Sequence, residues 1–102
     1  MAITIKEIRV LQPGDTVRVI SRKEYEENKN NYFFSFDWGI GMCEYLGKEL
    51  TVRRIERDGA IVRVYVNEND YYWLPAYIDR VVYSSSKMDA PSEDSLMGLL
   101  FL

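Results

Sequence analysis

The chain has 102 residues, 47% hydrophobic, 28% charged and 14% aromatic, which is the make-up of one small domain with a single modest core. It contains no histidine, which excludes Ser-His-Asp and Cys-His relays, the usual histidine-bearing zinc sites and a histidine pH switch. A net charge of -3 argues against a surface given over wholly to nucleic-acid phosphate.

A single cysteine, Cys43, cannot close an internal disulfide, so cohesion falls to packing, in keeping with a reducing cytoplasm. Cys43 itself reads as a small, partly buried apolar residue, because a catalytic thiolate would lack its histidine base. Residues 1–20 lack the basic start and apolar core of a signal peptide, and the longest apolar stretch is too short to span a bilayer. The expectation is a cytoplasmic protein that does not enter a membrane.

In chain order, Ile3, Ile5, Ile8 and Val10 alternate imperfectly with polar residues and read as a strand leading into the turn Gln12-Pro13-Gly14-Asp15. Thr16-Val17-Arg18-Val19-Ile20 follows as a half-buried strand, with Val17 and Val19 on one face and Thr16, Arg18 and Ile20 on the other. Residues 22–32 are polar and form a solvated loop or a short exposed helix. Behind a candidate N-cap at Asp37, the spacing of Trp38, Met42, Tyr45 and Leu46 predicts one or two helical turns closed by Gly47.

The strand that starts at Leu50 slips phase between Val52 and Ile55, which places a β-bulge at Arg53 and Arg54. Asp58-Gly59 predicts a type I′ hairpin, and residues 60–66 return with Val62, Val64 and Val66 on one face. A turn at residues 67–70, a strand over 71–74, a break at Pro75 and a closing strand at Val81-Val82-Tyr83 complete the pattern. Five or six short strands with one helical turn predict an all-β fold closed into a small barrel, since closure removes exposed edges. The predicted core is Val17, Val19, Leu46, Val52, Val62, Val64 and Trp73. Three segments follow from this reading: the barrel over 1–83, a polar linker over 84–95 and an apolar docking segment over 96–102.

Three stretches carry a resemblance: Pro13-Gly14-Asp15-Thr16-Val17-Arg18-Val19; Met42-Cys43-Glu44-Tyr45-Leu46-Gly47-Lys48 with Thr51-Val52; and Trp73-Leu74-Pro75-Ala76-Tyr77-Ile78 before Val81. Their order resembles the small SH3-like barrel proteins of bacteriophages and prophages, over about residues 12–83. The resemblance implies a five- or six-stranded SH3-like barrel that binds and has no chemistry of its own. Its third stretch is similar to the closing Pro-x-Tyr-Val segment of SH3 domains, while the Ala-Leu-Tyr-Asp-Tyr stretch of those domains is missing here.

The aromatic residues divide between core and surface. Trp38, Tyr72 and Tyr77 are the candidate partner-binding residues, with the tyrosine hydroxyls at the rim of an amphipathic groove. Lys48, Arg53, Arg54, Arg57 and Arg63 gather about the predicted hairpin and supply an alternative, a nucleic-acid-binding face. The bland reading of these cations is a solvated hairpin paired with Glu49 and Glu56. The glutamates and aspartates define no metal site, the glycines define no phosphate loop, and neither a catalytic residue nor a cofactor is expected. Leu96, Leu99, Leu100 and Phe101 form one apolar stripe at helical spacing that docks on the barrel, on a second copy as a homodimer arm, or on a partner, with the intermolecular uses favoured. Together these features point to a non-enzymatic protein-interaction module, an adaptor or inhibitor of phage type acting on another protein.

Overall fold

The computed structural model describes residues 3–85, so Leu96, Leu99, Leu100 and Phe101, and with them the expected docking segment, lie outside the described residues. Five antiparallel strands dominate: β1 (Thr16–Val19), β2 (Glu49–Asp58), β3 (Ile61–Val66), β4 (Tyr72–Trp73) and β5 (Ile78–Tyr83). They form one sheet in the order β4-β3-β2-β1-β5. Three short helices, α1 (Ile5–Val10), α2 (Arg22–Asn28) and α3 (Tyr32–Ser35), and two 3₁₀ turns, Ile40–Tyr45 and Pro75–Tyr77, fill the connections. The expectation of a mostly β chain holds.

Closure by hydrogen bonding does not. β4 and β5 are the outer strands and are not paired with each other. β4 is two residues long and runs straight into a turn opened by Pro75, which has no N–H to give, so little backbone is left for a further ladder.

The first element is a helix where alternation of Ile3, Ile5, Ile8 and Val10 predicted a strand. Thr4 and Glu7 form a capping box: the Glu7 N–H donates to Thr4 Oγ1 at 3.1 Å and the Thr4 N–H donates to Glu7 Oε1 at 3.0 Å. Once the helix starts, Ile8 and Leu11, three apart, face the core, while Ile5 and Val10 are left exposed. Ser21 Oγ caps α2 by accepting from the Glu24 N–H, and Asn31 Oδ1 caps α3 by accepting from the Phe33 N–H. The helical turns predicted after Asp37 are the 3₁₀ turn Ile40–Tyr45, with Gly39, not Asp37, at its start, and α3 comes before Asp37, outside the turns predicted behind that cap.

Val17, Val19, Val52, Val64 and Trp73 lie in the core as predicted, with Leu46 and Val62 packed at its margin. Ile20, predicted to share the outer face of β1, is fully buried, because the strand ends at Val19 and the Ile20 N–H donates to the Tyr77 carbonyl. The predicted bulge is present as a register shift between Val52 and Arg54. The hairpin sits one residue later than expected. Asp58 pairs with Ile61, and of the two turn residues between them only Gly59 has a positive φ, 64°, which is the arrangement of a type II′ turn with glycine first.

Candidate binding grooves

β3 alternates cleanly: Val64 and Val66 are buried, and Ile61, Arg63 and Tyr65 stand on the other face. On β4 Trp73 is buried while Tyr72 lies over Tyr65, with ring centroids 6.1 Å apart. Strand pairing sets Arg54 opposite Tyr65 and Glu56 opposite Arg63. One sheet face thus carries a layer of arginine and tyrosine. The Arg54 guanidinium lies 4.0 Å from the centre of the Tyr65 ring, Arg53 lies 5.9 Å from it, and Arg63 lies 5.4 Å from Tyr72. Glu56 sits between Arg54 at 3.5 Å and Arg63 at 3.4 Å.

Where this layer meets the Pro75–Tyr77 turn there is a groove of 440 Å³. Ile61, Val62, Leu74, Pro75 and Ala76 make its apolar surface; Phe36, just past α3, forms a wall; Asp37, Arg63 and Tyr72 supply its polar groups. Phe36 and Ile61 are 57% and 46% exposed, so two large apolar side chains stand in water beside a recess that could cover them. Partial burial raises the Tyr72 pKa above its ordinary value, the Asp37 carboxylate adds to the rise, and Arg63 pulls the other way. Tyr72 is therefore a neutral hydroxyl at physiological pH, flanked by one anion and one cation. Such a groove can seat apolar side chains and fix their direction by hydrogen bonding.

The three predicted partner-binding residues part company here. Tyr72 lines the groove. Tyr77 does not: it is fully buried, and its hydroxyl donates to the Phe34 carbonyl at 2.6 Å, so its predicted place on the rim is corrected to the core. The cause is the 3₁₀ turn, which swings Tyr77 inward. Trp38 is half-buried in an aromatic stack with Tyr25 at 4.9 Å, Tyr77 at 4.9 Å and Trp73 at 5.8 Å, and its Nε1 donates to Cys43 Sγ at 3.4 Å. It supports α2 and α3 from beneath. Cys43 is half-buried, as expected.

Of the five predicted cations, Arg53, Arg54 and Arg63 share the tyrosine face. Arg57 is directed elsewhere: its Nη2 donates to the carbonyls of Ile8 at 2.9 Å and Leu11 at 3.2 Å, fastening the end of α1. Lys48 precedes β2, at the opposite end from the hairpin turn. The predicted pairing of Glu49 with the hairpin arginines is replaced by a 2.6 Å ion pair with Arg18 on β1.

Sequence reasoning missed Phe36 and Ile61 as groove residues. The signal was there in Ile61, which falls on the opposite phase from Val62, Val64 and Val66. A second recess, of 480 Å³, lies between α1 and the hairpin turn, and Ala60, Val62 and Pro75 border both. Among the described residues no group of three or more His, Cys, Asp or Glu is placed to hold a metal ion, and no helix is long and apolar enough to cross a membrane. No family model matches the chain, and neither a curated protein nor a solved structure matches it.

Proposed function

We infer that the chain is a non-catalytic protein-interaction module built on an SH3-like barrel, acting in the cytoplasm as an adaptor or inhibitor of the phage type. The strand order supports the barrel reading: β1 lies between β2 and β5, and the Pro75–Tyr77 turn links the two outer strands directly, so the ends of the sheet are drawn toward each other. The observation that carries the function is the groove between Phe36 and Tyr72. Its apolar surface, half-exposed aromatic wall and three flanking polar side chains suit an extended peptide segment of a partner with apolar anchors.

Panning a random-peptide display library against the full chain tests this reading. Enriched peptides should carry apolar anchors, and Tyr72→Ala or Phe36→Ala should weaken them by about 2 kcal/mol while the melting temperature stays near that of the parent. Peptides that bind both variants as well as the parent would remove the groove from consideration.

The guanidinium layer over Tyr65 and Tyr72 favours a second reading, a platform for single-stranded nucleic acid. Salt separates the two. A fluorescent oligothymidylate bound through arginine should lose affinity steeply between low and moderate salt, whereas a peptide in the apolar groove should not.

A further inference from the structure

The recess between α1 and the hairpin turn presents Ile5, Ile8, Ala60 and Val62, with Arg9 and Arg57 at its edge. Ile5 is 73% exposed. An isoleucine left this open beside a 480 Å³ hollow marks a surface that lacks a covering element. The sequence supplies one. Residues 96–102 are apolar except for a glycine, and Glu93 and Asp94 stand just before them.

The chain reaches the right place. Ser85 is pinned by its N–H to Asp15 Oδ1 at 2.8 Å, and its hydroxyl donates to the same oxygen at 3.1 Å. Gln12, two residues past the end of α1, donates from Nε2 to Ser85 Oγ at 3.5 Å. The chain therefore leaves the described fold beside the C-terminal end of α1, the helix that walls the recess. Ten residues, 86–95, separate that point from Leu96 and can span up to about 33 Å when extended, whereas six-residue α1 is only about 9 Å long.

We propose that residues 96–102 of the same molecule occupy this recess, with Leu96, Leu99 and Leu100 against Ile5, Ile8 and Val62 and the acidic pair Glu93 and Asp94 toward Arg9 and Arg57. A tether of only ten residues holds its own segment at an effective concentration near millimolar, so at micromolar protein the segment of the same chain outcompetes that of a second copy. The sequence favours an intermolecular use of the segment, and the tether is the reason for proposing the same chain instead. The assignment does not rest on what fills the groove at Tyr72, although Ala60, Val62 and Pro75 border both recesses.

Disulfide trapping in the full chain tests it. In a Cys43→Ser background, Ala60→Cys is paired with Leu99→Cys and oxidised with copper phenanthroline at micromolar protein. A control pairs Leu99→Cys with Lys23→Cys on α2, and circular dichroism checks that each variant is folded. The 60–99 pair should cross-link within the monomer at least tenfold faster than the 23–99 pair. Arg9→Glu should slow it, and Arg9→Glu combined with Glu93→Arg should restore it. Equal rates for both pairs, no 60–99 cross-link, or a disulfide-linked dimer as the main product would each overturn the assignment.

Discussion

The Tyr77 hydroxyl donates to the main-chain carbonyl of Phe34 at 2.6 Å, so the turn that ends β4 is tied to the helix whose next residue, Phe36, walls the groove. One buried phenol links the two sides of the recess. The groove's shape therefore depends on a residue that does not line it.

Burial pushes the Tyr77 hydroxyl up to about 12, against about 10 for a tyrosine in the unfolded chain. Between those values the native state keeps a proton that the unfolded state has released, so this contribution is complete below pH 10 and is lost as pH rises through 12. Tyr77→Phe should cost about 1 kcal/mol at neutral pH through the lost hydrogen bond and make the alkaline decline shallower. Urea unfolding from pH 8 upward checks both effects. A variant that declines as steeply as the parent would place the alkaline sensitivity on other groups.

Gly41 packs so close to the Tyr71 hydroxyl that an added Cβ would collide with it, and the ring carbon behind that hydroxyl would lie only 3.2 Å away. A phenol ring cannot fold aside as a flexible chain can. Gly41→Ala should destabilise by about 1 to 3 kcal/mol, read from thermal melting, and Gly41→Ala with Tyr71→Phe should recover part of the loss. An alanine tolerated without cost would show that the 3₁₀ turn shifts freely.

Val64 is fully buried, opposite Trp73 on β4 and Ile55 on β2. Val64→Ala removes two methyl groups from the middle of the sheet and should cost about 1 to 3 kcal/mol. An unchanged melting curve would contradict the inward phase of β3.

Arg57 satisfies two carbonyls at the end of α1 with one guanidinium nitrogen. Arg57→Met keeps most of the stem and removes those bonds. Hydrogen exchange at residues 8–11 should accelerate by about tenfold, corresponding to about 1.4 kcal/mol, while exchange in β2 and β3 changes little. Uniform acceleration across the sheet would mean instead that α1 and the sheet open together.

Much of the sheet could be read from the chain because its signals are local. Gly59 fixes the hairpin, the phase slip at Arg53 and Arg54 reports the bulge, and Val17 and Val19 alternate against polar neighbours. α1 escaped because apolar spacing at residues 3, 5, 8 and 10 outweighed the capping signal at Thr4 and Glu7, although that signal was equally visible. Tyr77 escaped for a different reason. Its direction is set by a 3₁₀ turn and by a carbonyl 43 residues away, and neither has a local signature. Tyr72 was legible as an outward residue since it alternates with Trp73, whereas Phe36 depends on how α3 is carried by the aromatic stack around Trp38.

The placement of β1 between β2 and β5 has a kinetic side. β2 and β3 meet across a two-residue turn, but Val17 pairs with Val81, so one of the earliest strands made cannot complete its ladder until nearly the whole sheet segment exists. Closing so long a loop is entropically costly and its reward comes late, which places the β2–β3 hairpin in the folding nucleus and the β1–β5 ladder after it. In stopped-flow chevrons, Val64→Ala should then slow refolding, while Val81→Ala should mainly speed unfolding. On the ribosome, β1 would wait with one edge unpaired until β5 emerges.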